Sequence, residues 1–166
     1  MKRRRRARAL FLAGCVAAAV LAGCGYSVRQ TPGFSSLAIG RIENNTPEPR
    51  LEDILYEELA LELSRKGIRV ERGAGHALTG SIDRYVLRGL AEREGVNVQF
   101  QVQITGNFTL RGPGGEERPI RGSGAFLVTF AGRGPLESVL ANRDEAVRRS
   151  LRDMAREIVW DIVRTP

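Results

Sequence analysis

Val96-Asn97-Val98-Gln99-Phe100-Gln101-Val102-Gln103-Ile104-Thr105-Gly106-Asn107-Phe108-Thr109-Leu110 alternates apolar and polar residues along almost its whole length. Side chains of a strand point to opposite faces in turn, so Val96, Val98, Phe100, Val102, Ile104, Phe108 and Leu110 share one face. The asparagines, glutamines and threonines share the other. A strand divided in this way belongs to a sheet with one face on a core and the other polar. Gly106 interrupts the apolar series and marks a candidate β-bulge.

Outward from this strand the chain reads as a succession of sheet and helix. Gly112-Pro113-Gly114-Gly115 is a hairpin turn, and a return strand from about Ile120 to Phe130 places Phe126, Val128 and Phe130 in alternation. Upstream, Ala77 to Arg88 reads as a strand, Ile68 to Glu71 as a short one, and Leu37 to Ile42 as the first, ending at Asn44-Asn45-Thr46-Pro47. Between them a helix is expected from about Pro49 to Lys66. Leu51, Ile54, Leu55, Leu59 and Leu63 keep helical spacing, while Glu52, Asp53, Glu57, Glu58 and Glu62 fill the other face. After a glycine-rich loop from Ala131 to Pro135, Asn142 and Glu145 form a capping box for a last helix. Its apolar stripe is Val147, Leu151, Met154, Ala155, Ile158 and Ile162. The fold class is therefore α+β: a two-layer α/β sandwich of about four mostly antiparallel strands on two amphipathic helices.

The first residues follow a different logic. Lys2, Arg3 to Arg6 and Arg8 precede an uncharged run from Leu10 to Ala22, shorter than the roughly 20 apolar residues that span a bilayer. Leu21-Ala22-Gly23-Cys24 ends that run and resembles a bacterial lipobox, in which the cysteine sulfur receives diacylglycerol and the new amine is acylated. The expected organisation is a signal peptide over 1–23, a lipidated tether over 24–34 starting at Cys24, and a single domain over 35–166. Each buried methylene of the acyl chains contributes about 0.8 kcal/mol, so multiple acylation anchors stably. Gly25 after the cysteine, in place of Asp, favours the outer membrane, with the domain on its periplasmic side.

Cleavage at Cys24 also changes the charge. The chain has 26 basic and 19 acidic residues, but six basic and no acidic residues precede Cys24. The remainder holds 20 basic against 19 acidic, so its basicity gives no support for nucleic-acid binding. Cys15 leaves with the signal and Cys24 carries lipid, so no intramolecular disulfide is expected.

Catalytic and metal-binding patterns are sparse. His76, the single histidine, sits in Gly73-Ala74-Gly75-His76-Ala77 and reads as a loop residue without metal-ligating companions. Ser64, Ser81, Ser123, Ser138 and Ser150 stand in no nucleophile-elbow context. Glu57 and Glu58, adjacent on a helix, diverge by about 100° and read as a solvated face. Gly112 to Gly115 lies between strands and not before a helix, so it is no phosphate loop. Neither an enzyme nor a cofactor is indicated. Arg84, Arg88 and Arg93 gather near a strand connection, and Arg143, Arg148 and Arg149 near the start of the last helix. Guanidinium forks suit phosphates and carboxylates, and equally suit salt bridges with Glu92, Glu94, Asp144 and Glu145.

Several segments together resemble the LPS-assembly lipoprotein family, LptE. They are Cys24-Gly25-Tyr26-Ser27-Val28-Arg29, Leu37-Ala38-Ile39 leading to Asn44-Asn45-Thr46, and Leu51-Glu52 opening a helix. Arg93-Glu94-Gly95 feeding Gln99-Phe100-Gln101-Val102, and Ala141-Asn142-Arg143-Asp144-Glu145, extend the match along most of the mature chain. The resemblance implies a non-catalytic outer-membrane lipoprotein that plugs the lumen of the LPS-translocon barrel, LptD, helps it assemble and binds LPS. Arg93 falls where the family carries a basic residue linked to LPS contact. At the second such position this chain has Asn142, with Arg143 beside it. The stretch from Ile39 to Thr46 is also similar to curli-type secretion lipoproteins, so a component of a secretion or envelope-stabilising complex is the alternative.

Overall fold

The computed structural model describes residues 33–93, 96–120 and 125–164. The expected signal peptide, Cys24 and the tether as far as Pro32 lie outside them. So do Glu94, Gly95 and the side chain of Arg93.

The decisive strand forms as its alternation requires. In chain order the elements are β1 (Ser36–Asn44), α1 (Leu51–Arg65), β2 (Arg69–Val70), β3 (Ala77–Arg93), β4 (Val96–Arg111), β5 (Glu117–Pro119), β6 (Phe126–Ala131) and α2 (Leu136–Arg164). β3 and β4 make a long antiparallel hairpin, from Ala77 opposite Arg111 to Arg93 opposite Val96. The outer edge of β4 is shared by β5, beside Thr109 to Arg111, and β6, beside Gln99 to Ile104. On the other side β1 pairs with β3, and β2 closes the edge beyond it. Both of β1's pairings are parallel, because α1 carries the chain back across the sheet before each partner strand begins.

The α+β class is as expected, with six strands among the described residues in a mixed sheet in place of about four. The expected return strand is seen from Phe126 as β6, the short β5 precedes it, and β3 runs five residues beyond Arg88 to Arg93.

α1 has the composition of a well-terminated helix. Glu52 and Asp53 lie at its positive end and Arg65 at its negative end. Past the helix Gly67 adopts φ 77°, and its N–H donates to the Ser64 carbonyl while that of Ile68 donates to Leu63. This reciprocal closure needs a left-handed residue and ends the helix at a glycine. Leu51, Leu55, Leu59 and Leu63 are fully buried. They meet Leu37, Leu78, Ile82, Val102, Ile104 and Phe108 of the sheet, and Leu151, Met154, Ile158 and Ile162 of α2 in one core.

Two expectations about the helices are corrected. Glu58 and Glu62 do not belong to a solvated face, each being only 5% exposed. α2 lies alongside α1, and Arg148 and Arg152 donate to the Glu58 carboxylate at 3.5 and 3.2 Å. Arg65 donates to Glu62 at 2.5 Å. Nor does α2 start at Asn142. Gly134 at φ 111° and Pro135 open it earlier, the Pro135 carbonyl accepting from Ser138 and Val139. Asn142 lies inside the helix and donates to the Ala131 carbonyl at the end of β6.

The bulge expected at Gly106 is present, with its extra residue on the facing strand. Ile82 pairs with Gly106 and Arg84 with Thr105, so Asp83 has no partner across the ladder. From that point the faces of β3 change phase. Phe108 covers the site: a Cβ on Gly106 would stand 2.9 Å from its ring, and one on Gly80 would overlap the ring.

Candidate functional site

Both helices pack on the apolar face of the sheet, leaving the other face without a second layer among the described residues. Register builds that face. Arg84, Val86 and Arg88 of β3 stand opposite Thr105, Gln103 and Gln101 of β4. Leu127 and Thr129 of β6 continue the rows beyond Gln103 and Gln101. The result is a broad, weakly charged field of amides, hydroxyls and short apolar groups. Such a surface offers donors and acceptors without a large desolvation cost for charge.

Arg84 and Arg88 are exposed on this field and make no ion pair among the described residues. They are not grouped at the strand connection as expected. β3 continues past them, and its bulge turns both onto the glutamine face. Arg93 ends β3 at the hairpin tip, its backbone paired with Val96.

At the rim, Asp83 accepts from Asn45 at 3.2 Å and from Asn107 at 2.7 Å, tying β1, β3 and β4 together. Desolvation pushes its carboxyl up, but hydrogen bonds from Ser81, Asn45 and Asn107 outweigh this and hold the pKa below the ordinary aspartate value. A carboxylate with a depressed folded pKa contributes stability above its unfolded pKa of about 3.9, lost as pH falls through the folded value. Urea unfolding on either side of about pH 4 should show stability declining on acidification. Asp83→Asn should flatten that decline. An unaltered slope would remove Asp83 from the account.

The second predicted arginine group is turned inward. Arg143 donates to Glu48 and, at 3.4 Å, to Asp144, with its guanidinium 6.0 Å from the centre of the Tyr85 ring. Glu48 is itself placed by a network in which the Asn44 amide donates to the Glu48 carbonyl and to Glu52, both at 2.8 Å. Burial draws the Arg143 pKa down, but Glu48 and Tyr85 more than restore it, so the guanidinium stays charged. The Tyr85 hydroxyl is buried beside it without reaching hydrogen-bonding geometry, and burial pushes its pKa up. Arg148 reaches Glu57 and Glu58, and Arg149 lies 3.9 Å from Glu145. Arg143 and Arg148 therefore fasten α2 to its surroundings while Arg149 pairs within the helix, the salt-bridging alternative.

His76 stacks on Phe34, with ring centroids 4.0 Å apart. Among the described residues no cluster of three or more His, Cys, Asp and Glu is placed to hold a metal ion.

A family model described as LptE, lipopolysaccharide-assembly, matches residues 34–165. Among solved structures, a putative lipoprotein from Caulobacter crescentus CB15 is 20% identical with a TM-score of 0.50, over 74% of this chain and 87% of that one. The rare lipoprotein B from Shewanella oneidensis is 13% identical with a TM-score of 0.53, over 75% and 91%. A minor lipoprotein from Acinetobacter baumannii is 15% identical with a TM-score of 0.51, over 78% and 91%. At these identities the likeness is one of fold. No curated protein matches the sequence.

Proposed function

Since the chain belongs to the LptE family of lipopolysaccharide-assembly proteins, we propose that it is an outer-membrane lipoprotein acting as plug and assembly factor for the LPS-translocon barrel, LptD. The observation that carries this reading is the uncovered polar face of β3, β4 and β6. A barrel lumen is itself polar, and alternate strand residues line it. Gln101, Gln103, Thr105 and Thr129 can exchange bonds with water for bonds with such a wall. Arg84 and Arg88, exposed on the same face, can meet carboxylates on it. The role is one of assembly and not catalysis.

Detergent capture of the acylated protein followed by mass spectrometry tests the partnership. A stoichiometric outer-membrane barrel of translocon size is expected. Recovery of a secretin, or of no barrel, would overturn it. Arg84→Glu with Arg88→Glu should abolish capture, because it reverses the charge that this face offers to carboxylates on the wall. Thermal stability should change little, since both side chains lie on the uncovered face. Retained capture by this variant would move the interface elsewhere.

LPS contact is the second half of the proposal. Arg93, at the hairpin tip, is its main candidate. Arg143 would have to exchange Glu48 for a phosphate, and truncating it strands the Glu48 carboxylate, so Arg93→Gln is the clean variant. LPS affinity unchanged by Arg93→Gln would remove this residue from the contact.

A further inference from the structure

The end of the domain opposite the hairpin tip has its own composition. The chain enters the described domain there: Ser36 pairs with Arg69, Phe34 lies on His76, and Ala77 faces Arg111. Both helices finish at the same end. α1 passes through Arg65 and Lys66 directly into Gly67 and β2. α2 is held there by Arg118 of β5, which donates to Asp161 at 2.6 Å. Immediately before Asp161 on the helix, Trp160 is 48% exposed, and the Arg164 guanidinium lies 4.5 Å from the centre of its ring.

The two helices run side by side in the same direction, since Glu48 meets Arg143 and Glu58 meets Arg152. Lys66 therefore ends level with the turn that carries Trp160. Arg65, Lys66, Arg69, Arg72 and Arg164 are all exposed around this end. Arg65 pairs with Glu62, Arg69 with Glu71, Arg111 with Glu117 and Arg118 with Asp161, and Glu116 and Glu157 are exposed nearby, leaving Lys66, Arg72 and Arg164 without an ion pair among the described residues.

We propose that this end is a membrane-docking surface, with Trp160 seated among lipid headgroups and Lys66, Arg69 and Arg164 against anionic lipid phosphates. An exposed tryptophan beside basic residues is the composition of a membrane–water interface, where the ring's apolar body and polar N–H are both satisfied. Chain length gives the occupant. Only residues 25–32 separate Gly33 from Cys24, so a lipid on that cysteine lies within roughly 30 Å of this end. A surface so close to its own anchor meets lipid at high effective concentration, and weak individual contacts suffice. Docked end-on, the free protein holds its open sheet face upright beside the bilayer, where a barrel in the same membrane reaches it sideways. The inference rests on acylation of Cys24 and not on the barrel partnership.

Trp160 is the chain's single tryptophan, so its emission reports the site directly. The acylated protein is reconstituted without any barrel into phosphatidylcholine vesicles, with or without phosphatidylglycerol, and flotation confirms anchoring. Bromine-labelled lipid should quench Trp160, and more strongly with phosphatidylglycerol present. High salt should reverse the difference. Lys66→Gln and Arg164→Gln should each lower the protected-to-exposed ratio about fivefold, as expected for loss of one basic residue at an anionic surface. A floating protein whose Trp160 is quenched by aqueous iodide and not by brominated lipid overturns the proposal. A protein that fails to float removes the anchor, and the proposal with it. Salt-insensitive quenching equal in both vesicles would overturn the anionic-lipid component.

Discussion

Phe108→Ala is expected to lower the unfolding free energy by about 3–5 kcal/mol, the range for large-to-alanine changes at buried aromatic sites. The position has unusual leverage. Phe108 is 2% exposed, in the core between sheet and helices, and its ring lies over two glycines on neighbouring strands. Gly80 and Gly106 have no side chains to close the gap, so collapse into the cavity is limited and the cost stays high. The melting temperature should fall by roughly 10–20 °C for a domain of this size. The reciprocal experiment fills the same space from the other side. A Cβ at Gly106 would stand 2.5 Å from the Ser81 carbonyl oxygen, which is backbone in a ladder and cannot swing aside. Gly106→Val should therefore destabilise comparably, while Leu127→Ala, on the open face, should cost less than about 0.5 kcal/mol. A Phe108→Ala loss near that of Leu127→Ala would show that the ring does not fill the junction.

Cys24→Ser should abolish incorporation of labelled palmitate and leave an uncleaved precursor in place of the mature form. The effect is all-or-none, because serine lacks the sulfur that receives the diacylglycerol and whose modification licenses cleavage. Only the lipobox-like Leu21-Ala22-Gly23-Cys24 is needed for this outcome. Palmitate labelling that survives the substitution, or a wild-type chain that takes up no label, would refute it.

The sequence made some of this architecture legible and hid the rest for identifiable reasons. Strict alternation made β4 readable along its whole length, and leucines at every fourth position did the same for α1. The Asp83 bulge was not readable, because Gly106 signals an irregularity without showing which strand takes the extra residue. That single residue decides whether Arg84 and Arg88 face the core side or the glutamines, so the most informative part of the surface depended on it. Glu58 and Glu62 misled because glutamate in an amphipathic pattern ordinarily points to water. Glu58 is paired by arginines of α2 ninety or more positions along the chain, which local periodicity cannot register, while Glu62 is covered by the same packing of α2 and paired by its near neighbour Arg65. Asn142 with Glu145 has the form of a capping box, yet Gly134-Pro135 stops the chain earlier and supplies the true start of α2. Arg143 was legible as a functional candidate by position but not by environment, since its partner Glu48 lies before α1.

The asymmetry between the β3–β4 hairpin and β1 has a kinetic side. A hairpin closed by a two-residue connection requires almost no chain search, and such units form in about 1–10 μs. β1, in contrast, finds β3 only after α1 and β2 have been threaded between them, because Ala38 pairs with Ala77 across the sequence. Contacts of that separation are slow to establish. During acquisition of structure, the hairpin should therefore exist for a time with its β3 edge unprotected, before β1 arrives to cover it. Amide exchange after rapid refolding would show this order as early protection at Gln103 and Thr105, which face β3, and late protection at Ala38 and Asn45, which donate to the His76 and Ile82 carbonyls. The same interval is when an unpaired β3 edge is open to capture by another chain.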